Sequence, residues 1–119
     1  MRKIYVMSKT SLGEFEEIVL LTVAVLDDEA YGVAIIKEIK DRLERNVSVG
    51  ATQTALRRME AKKFLTAEFG EATKVRGGKR KKYFRITPFG VKVLRENREV
   101  RQQLWAAIPS TVLDLQIQL

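Results

Sequence analysis

The spacing of the apolar residues changes near Leu65, and this change constrains the fold more than any other feature of the sequence. Before Leu65, apolar positions recur every three or four residues, the period of a helix, and they predict helices over about residues 12–27, 30–45 and 50–63. After it, Leu65–Phe69 and Lys82–Ile86 are short β-favouring segments. These two segments predict a two-stranded ribbon that follows three helices.

The residues after the ribbon predict a long fourth helix. Thr87 suits the N-cap and Pro88 the first helical position, where a missing N–H costs nothing, and Pro109 ends the helix. Ser11 and Glu14 likewise predict a capping box for the first helix, and Ser48 can cap the third helix. The order of elements indicates an α+β fold, a winged helix-turn-helix with a long C-terminal helix. The predicted divisions are an N-terminal arm (1–10), a winged helix (11–86), a dimerisation helix (87–109) and a tail (110–119).

The fourth helix carries an apolar stripe that predicts a dimer. Val93, Val100 and Ala107 recur every seven residues, and further apolar side chains accompany them. A stripe so far along the helix is too distant from the winged helix to be buried in one subunit, so we expect it to pair across a two-fold axis. The predicted interface residues are Val93, Val100, Leu104, Trp105 and Ile108.

The positive charge is concentrated in the second half of the chain. The formal net charge is +7, and residues 57–101 hold 15 Lys and Arg against 5 Asp and Glu, a net charge of +10. Concentrated positive charge in a folded domain favours a polyanionic partner, with nucleic acid ahead of an acidic membrane. A solvated basic face remains the alternative reading of the composition alone.

The composition argues against an enzyme. The chain has no cysteine and no histidine, so thiol nucleophiles, thiolate metal sites and the commonest general base are missing. The acidic residues 27–29 are interpreted as a turn between helices, and no cofactor or metal site is predicted. The apolar segment 18–26 is too short to cross a membrane, and residues 1–7 do not resemble a secretory signal. We therefore expect a cytoplasmic protein without a membrane partner.

Polar and basic residues on the third helix and in the loop of the ribbon are the candidates for DNA contact. In a winged helix, the third helix enters the major groove and the ribbon loop lies against phosphate or the minor groove. A dimer would place two such helices about 34 Å apart, which matches a palindromic duplex operator. The candidates on the helix are Gln53, Thr54, Arg57 and Arg58. The candidates in the loop, whose tip is Gly77-Gly78, are Lys74, Arg76, Lys79, Arg80 and Lys81.

Several segments resemble the PadR-like transcriptional regulators. The resemblance covers about residues 12–96 and rests on Leu12–Leu21, Tyr31-Gly32, Ser48–Ala51, Leu56–Glu60 and, most specifically, Arg76–Gly90. It implies a winged-helix dimer that represses transcription and leaves its operator when an effector binds. The chain is similar to the compact branch of the family, which has one C-terminal helix and no separate effector domain.

The resemblance also suggests where an effector would bind and where this chain differs from its family. A planar, apolar effector is expected at the dimer interface, where Trp105 would stack on it. Packing between subunits is the role that the sequence favours for Trp105, and stacking on an effector is the alternative. Gln53 stands where tyrosine is frequent in the family, but glutamine can bond to adenine N6 and N7. Lys63 stands where glycine usually ends the third helix.

A basic RNA-binding or ribosome-associated module is the alternative function. Such a module would expose aromatic side chains on a sheet for base stacking. Tyr83 and Phe84 are expected on opposite faces of one strand, which argues against it.

Overall fold

The computed structural model describes residues 11–70 and 80–115, and its first helix, α1, spans Glu14–Leu26. α1 begins at the N-cap Gly13, which makes no side-chain cap hydrogen bond. The capping box predicted from Ser11 is therefore wrong, because the helix begins later than expected and leaves Ser11 two residues before the cap. Val19, Leu20 and Val23 of α1 are buried, as a central core helix requires.

Two further helices pack against α1. A short 3-10 helix, Asp27–Glu29, confirms the predicted turn and leads into α2, Gly32–Leu43. The recognition helix candidate α3 spans Val49–Ala61. Its N-cap is Ser48, whose Oγ accepts a hydrogen bond from the Ala51 amide at 3.0 Å, as the sequence predicts.

The ribbon follows α3 and is tied to the start of α2. β1 (Leu65–Phe69) pairs antiparallel with β2 (Lys82–Ile86), with Leu65 opposite Ile86 and Phe69 opposite Lys82. β2 also forms a bridge between Tyr83 and Tyr31, and the Phe84 amide donates to the Ala30 carbonyl at 2.7 Å. The base of the ribbon is thus bonded to the helical part of the fold as well as to itself.

The long helix α4 spans Pro88–Ala107 and begins as predicted, with Thr87 as N-cap and Pro88 in the first turn. The Thr87 hydroxyl accepts from the Gly90 amide at 2.9 Å. A short helix α5, Ser110–Leu113, lies in the tail, for which the sequence showed no clear period. Among the described residues, no helix is both long and apolar enough to cross a membrane.

The core lies where α1, α2, α3, the ribbon and the start of α4 meet. Val93 of α4 is fully buried in this core. The prediction that Val93 faces a partner subunit is therefore wrong, because its helix turn lies over the winged helix and leaves none of its side chain exposed. The elements and their order are those of a winged helix-turn-helix with a long C-terminal helix. The buried apolar residues are Leu12, Val19, Leu20, Val23, Ala30, Ile35, Ile39, Ala55, Leu56, Met59, Phe64, Leu65, Phe84 and Val93.

Candidate nucleic-acid interface

The outer face of α3 exposes all four predicted contact residues. Thr52, Leu56 and Met59 point inward and are fully buried, which fixes the rotation of the helix. Ala55 is buried with them, and the opposite side of the helix faces solvent. Gln53, Thr54, Arg57 and Arg58 are all exposed.

The exposed residues of α3 border two different clefts. Gln53 lies on a cleft of about 630 Å³ between α3, the start of α2 and the base of the ribbon. Thr54 and Arg58 lie on a second cleft, shared with the first turn of α1 and with Glu14 and Glu16. Glu16 Oε2 is buried there and makes no hydrogen bond, so the second cleft has an acidic wall that disfavours phosphate.

The first cleft, which we call the ribbon cleft, combines basic and apolar walls. Its lining is Tyr31, Gly32, Val33, Ile36, Val49, Gln53, Arg80, Lys81, Lys82 and Phe84. Three of these residues, Arg80, Lys81 and Lys82, are cationic, although the Lys82 ammonium lies near Glu60 at the C-terminal end of α3. A groove with cations along one wall suits the sugar-phosphate backbone of a nucleic acid.

Gly32 sets the position of Gln53 at this cleft. A Cβ atom at residue 32 would lie 2.9 Å from Gln53 Nε2, closer than Cβ atoms normally approach another atom. The glycine therefore allows the carboxamide of Gln53 to lie against the first turn of α2. The sequence analysis noted Tyr31-Gly32 only as part of a family resemblance, because a contact across two helices has no signature in the sequence.

The basic residues of the ribbon have different surroundings. Lys74, Arg76 and Lys79 lie outside the described residues. Arg80 is exposed, whereas the Lys81 ammonium lies 4.3 Å from the centroid of the Tyr31 ring, a cation–π contact. Lys81 therefore holds the base of the ribbon against α2 while its charge remains at the ribbon cleft.

The basic side chains of residues 57–101 do not all lie on the same surface. Arg85 Nη2 lies 2.5 Å from Asp28 Oδ1, behind the ribbon, and Lys82 Nζ lies 3.4 Å from Glu60 Oε1. The net charge of residues 57–101 is therefore divided among several surfaces. The Asp28 contact also fits the reading of the acidic residues 27–29 as a structural turn, and the described residues hold no cluster of acidic side chains suited to a metal ion.

The outer half of α4 leaves apolar side chains uncovered. Leu104 is 69% exposed and Trp105 65% exposed, while Val100 and Ile108 are half-buried. On the neighbouring helix α1, Leu21 is also exposed. Large exposed apolar side chains on two adjacent helices form a surface typical of protein association.

A separate groove of about 450 Å³ runs between α1 and α4 beside these side chains. Its lining includes Leu21, Leu94 and Trp105 together with the cations Arg95 and Arg98. At its edge Arg101 Nη1 lies 3.1 Å from an oxygen of Glu17, whose side chain is only 12% exposed. The ion pair joins α4 to α1 and neutralises a carboxylate that would otherwise be buried alone.

A comparison with known protein families identifies the family to which the chain belongs. Residues 20–96, from α1 through the first turns of α4, match the model of the transcriptional regulator PadR-like family. The chain belongs to the PadR-like family. PadR-like proteins are transcriptional regulators that bind DNA.

Solved structures of PadR-like regulators share the fold over most of the chain. A PadR-like transcription factor from Bacteroides fragilis is 28% identical, with a TM-score of 0.66 over 82% of this chain and 86% of its own. A PadR family regulator from Eggerthella lenta is 26% identical, with a TM-score of 0.65 over 87% and 88%. A transcriptional regulator from Clostridium thermocellum is 25% identical, with a TM-score of 0.63 over 83% and 89%. No curated protein is significantly similar to the chain.

Proposed function

We propose that this PadR-like regulator is a homodimeric repressor that binds a palindromic duplex operator and responds to an effector. The observation that carries the proposal is that one small chain exposes two distinct surfaces. The exposed face of α3 borders the ribbon cleft, and the exposed Leu104 and Trp105 lie on the outer half of α4. One surface suits a duplex and the other a second copy of the chain.

Duplex DNA fits the surface better than single-stranded RNA. An RNA module would need aromatic side chains free to stack on bases. Phe84 is buried, and the Tyr83 ring packs edge-on against Tyr31 with centroids 5.5 Å apart. These aromatic side chains of β2 serve the fold, whereas the exposed polar and basic side chains lie on a helix, the element that fits the major groove.

The dimer is supported by the apolar surface of α1 and α4. A second copy related by a two-fold axis would cover Leu104, Trp105 and Leu21 and would set the spacing of the two α3 helices. Truncation after Glu99 removes the outer half of α4, and light scattering should then report a monomer or an aggregate. A stable dimer after this truncation would locate the interface on α1 and the N-terminal arm.

The groove between α1 and α4 is the proposed effector site. A planar apolar molecule could stack on Trp105, and Arg95 and Arg98 would favour an anionic group on that molecule. Binding alters DNA affinity only if the effector prefers one spacing of the two α3 helices. Titration of planar dyes against the fluorescence of Trp105, the sole tryptophan, tests this site.

Selection of duplexes from a random pool tests the function itself. We expect a motif with two inverted half-sites about one helical turn apart, bound in the presence of single-stranded competitor. Loss of the bound duplex to single-stranded RNA would favour the RNA-binding module. A single half-site, bound equally well alone, would contradict the dimeric operator.

A further inference from the structure

Two valines are exposed at the ribbon cleft, next to Gln53. Val33, at the start of α2, is 73% exposed, and Val49, the first residue of α3, is 64% exposed. Both line the cleft together with Gln53 and Gly32. Leu21, Leu104 and Trp105 belong to the proposed dimer surface, so these two valines form a separate apolar patch on the proposed DNA-binding surface.

Val49 contributes little to the fold. It is too exposed to belong to the core, and valine is a poorer helix former than alanine or leucine. The helix cap next to it comes from Ser48, which bonds to the Ala51 amide without involving the Val49 side chain. The stability of the chain therefore gives no reason for a valine at this position.

The position of Val49 matches the part of a recognition helix that meets base edges. The N-terminal residues of such helices contact bases in the major groove. Val49 and Gln53 are four residues apart, so they lie on the same side of α3, one turn from each other. Both residues line the ribbon cleft, so this side of α3 faces the cleft.

The major groove offers one apolar group for a valine to contact, the 5-methyl group of thymine. We infer that Val49 is a specificity-determining residue that packs against the 5-methyl group of a thymine neighbouring the base pair contacted by Gln53. This inference rests on the proposed function, because it assumes sequence-specific binding of duplex DNA by α3. It adds a base preference that comes from apolar contact alone, without a hydrogen bond.

Deoxyuridine differs from thymidine only by this methyl group and gives a direct test. In the duplex selected from a random pool, each thymine of one half-site is replaced in turn by deoxyuridine, and the dissociation constant is measured for the full-length protein. Removal of one buried methyl group should weaken binding about fourfold at a single thymine. In Val49→Ala the same replacement should change binding by less than about 1.5-fold, because the protein methyl groups that contact the thymine are gone.

Val33→Ala is the matched control. Val33 is an exposed valine on the same cleft, but it lies on α2 and not on the recognition helix. Val33→Ala should keep the fourfold sensitivity to deoxyuridine. Both variants should melt at or slightly above the temperature of the unmodified protein, because both side chains are exposed and alanine is the better helix former.

Three results would overturn the inference while leaving the proposed function intact. They are a selected duplex without thymine in its half-site, equal affinity for every deoxyuridine duplex, and unchanged deoxyuridine sensitivity in Val49→Ala. Failure to select any duplex sequence would instead overturn the proposed function, and the inference with it.

Discussion

Gly90 lies where the long helix packs closely against Phe64 and the end of β2, and its replacement should destabilise the protein markedly. A Cβ atom at residue 90 would lie 2.3 Å from the Phe64 carbonyl oxygen and 2.8 Å from Ile86 Cγ1. The Phe64 carbonyl cannot easily move aside, because it accepts hydrogen bonds from the amide and the hydroxyl of Thr87 at 3.0 and 3.1 Å. In Gly90→Ala, α4 must therefore shift outward by about 1 Å to restore an ordinary contact distance.

The expected loss follows from two opposing terms. Overpacking against fixed backbone costs about 3 kcal/mol of unfolding free energy, and alanine in place of glycine in a helix returns up to about 1 kcal/mol. The net loss for Gly90→Ala is therefore about 2 kcal/mol, which lowers the Tm of a chain of this size by roughly 8 °C.

Gly50 in α3 provides the matched control. A Cβ atom at residue 50 would meet no atom within 4 Å, so Gly50→Ala should raise the unfolding free energy by about 0.5–1 kcal/mol. Both variants are compared by urea denaturation followed by circular dichroism at one fixed protein concentration, since association contributes to stability. If Gly90→Ala proved as stable as the unmodified protein, the close packing of α4 against Phe64 would be refuted.

Four other substitutions test the proposed DNA-binding surface, the proposed dimer and the end of α3. Arg80→Ala should weaken binding to all duplexes alike and lower the slope of binding affinity against salt concentration by about one. Arg57→Ala should cost about 1–3 kcal/mol of binding free energy on the selected duplex and less on random DNA. Equal losses of affinity on both duplexes would make Arg57 a phosphate contact. Leu104→Glu should shift light scattering toward the monomer, whereas Leu43→Glu, at a position on α2 that is 52% exposed, should not. An unchanged dimer in Leu104→Glu would exclude this part of α4 from the interface. Lys63→Gly should raise the unfolding free energy by about 1 kcal/mol, because residue 63 has φ 66°, a left-handed conformation that favours glycine. A lower Tm in this variant would mean that the lysine side chain makes a compensating contact.

The elements and their order could be predicted because local signals agree with the fold. The change of period near Leu65, the Ser48 cap and the Thr87-Pro88 pair each correspond to an observed boundary. The capping box at Ser11 was wrong, because a cap motif shows which residues can form a cap but not where the helix starts. The positive φ at Lys63 was foreseeable only from the resemblance, which places glycine there.

Which of the site residues are buried, which are paired and which are free at the surface could not be predicted. Val93 shares a seven-residue spacing with Val100, yet one is in the core and the other is half-buried, because only the first turns of α4 cover the winged helix. Lys81 and Arg80 are adjacent in the sequence, yet only Lys81 stacks on Tyr31. These differences depend on which element lies opposite each side chain, and the spacing of residues along one element carries no such information.

The bonds between β2 and the segment before α2 limit how the proposed effector could alter DNA binding. The Tyr31–Tyr83 bridge, the bond from the Phe84 amide to Ala30 and the Arg85–Asp28 ion pair attach β2 to the segment between α1 and α2. Since α3 also packs against α1 and α2, we expect the ribbon and α3 to move together when α4 tilts. In the proposed dimer, an effector would then change the distance between the two winged helices while each of them keeps its shape.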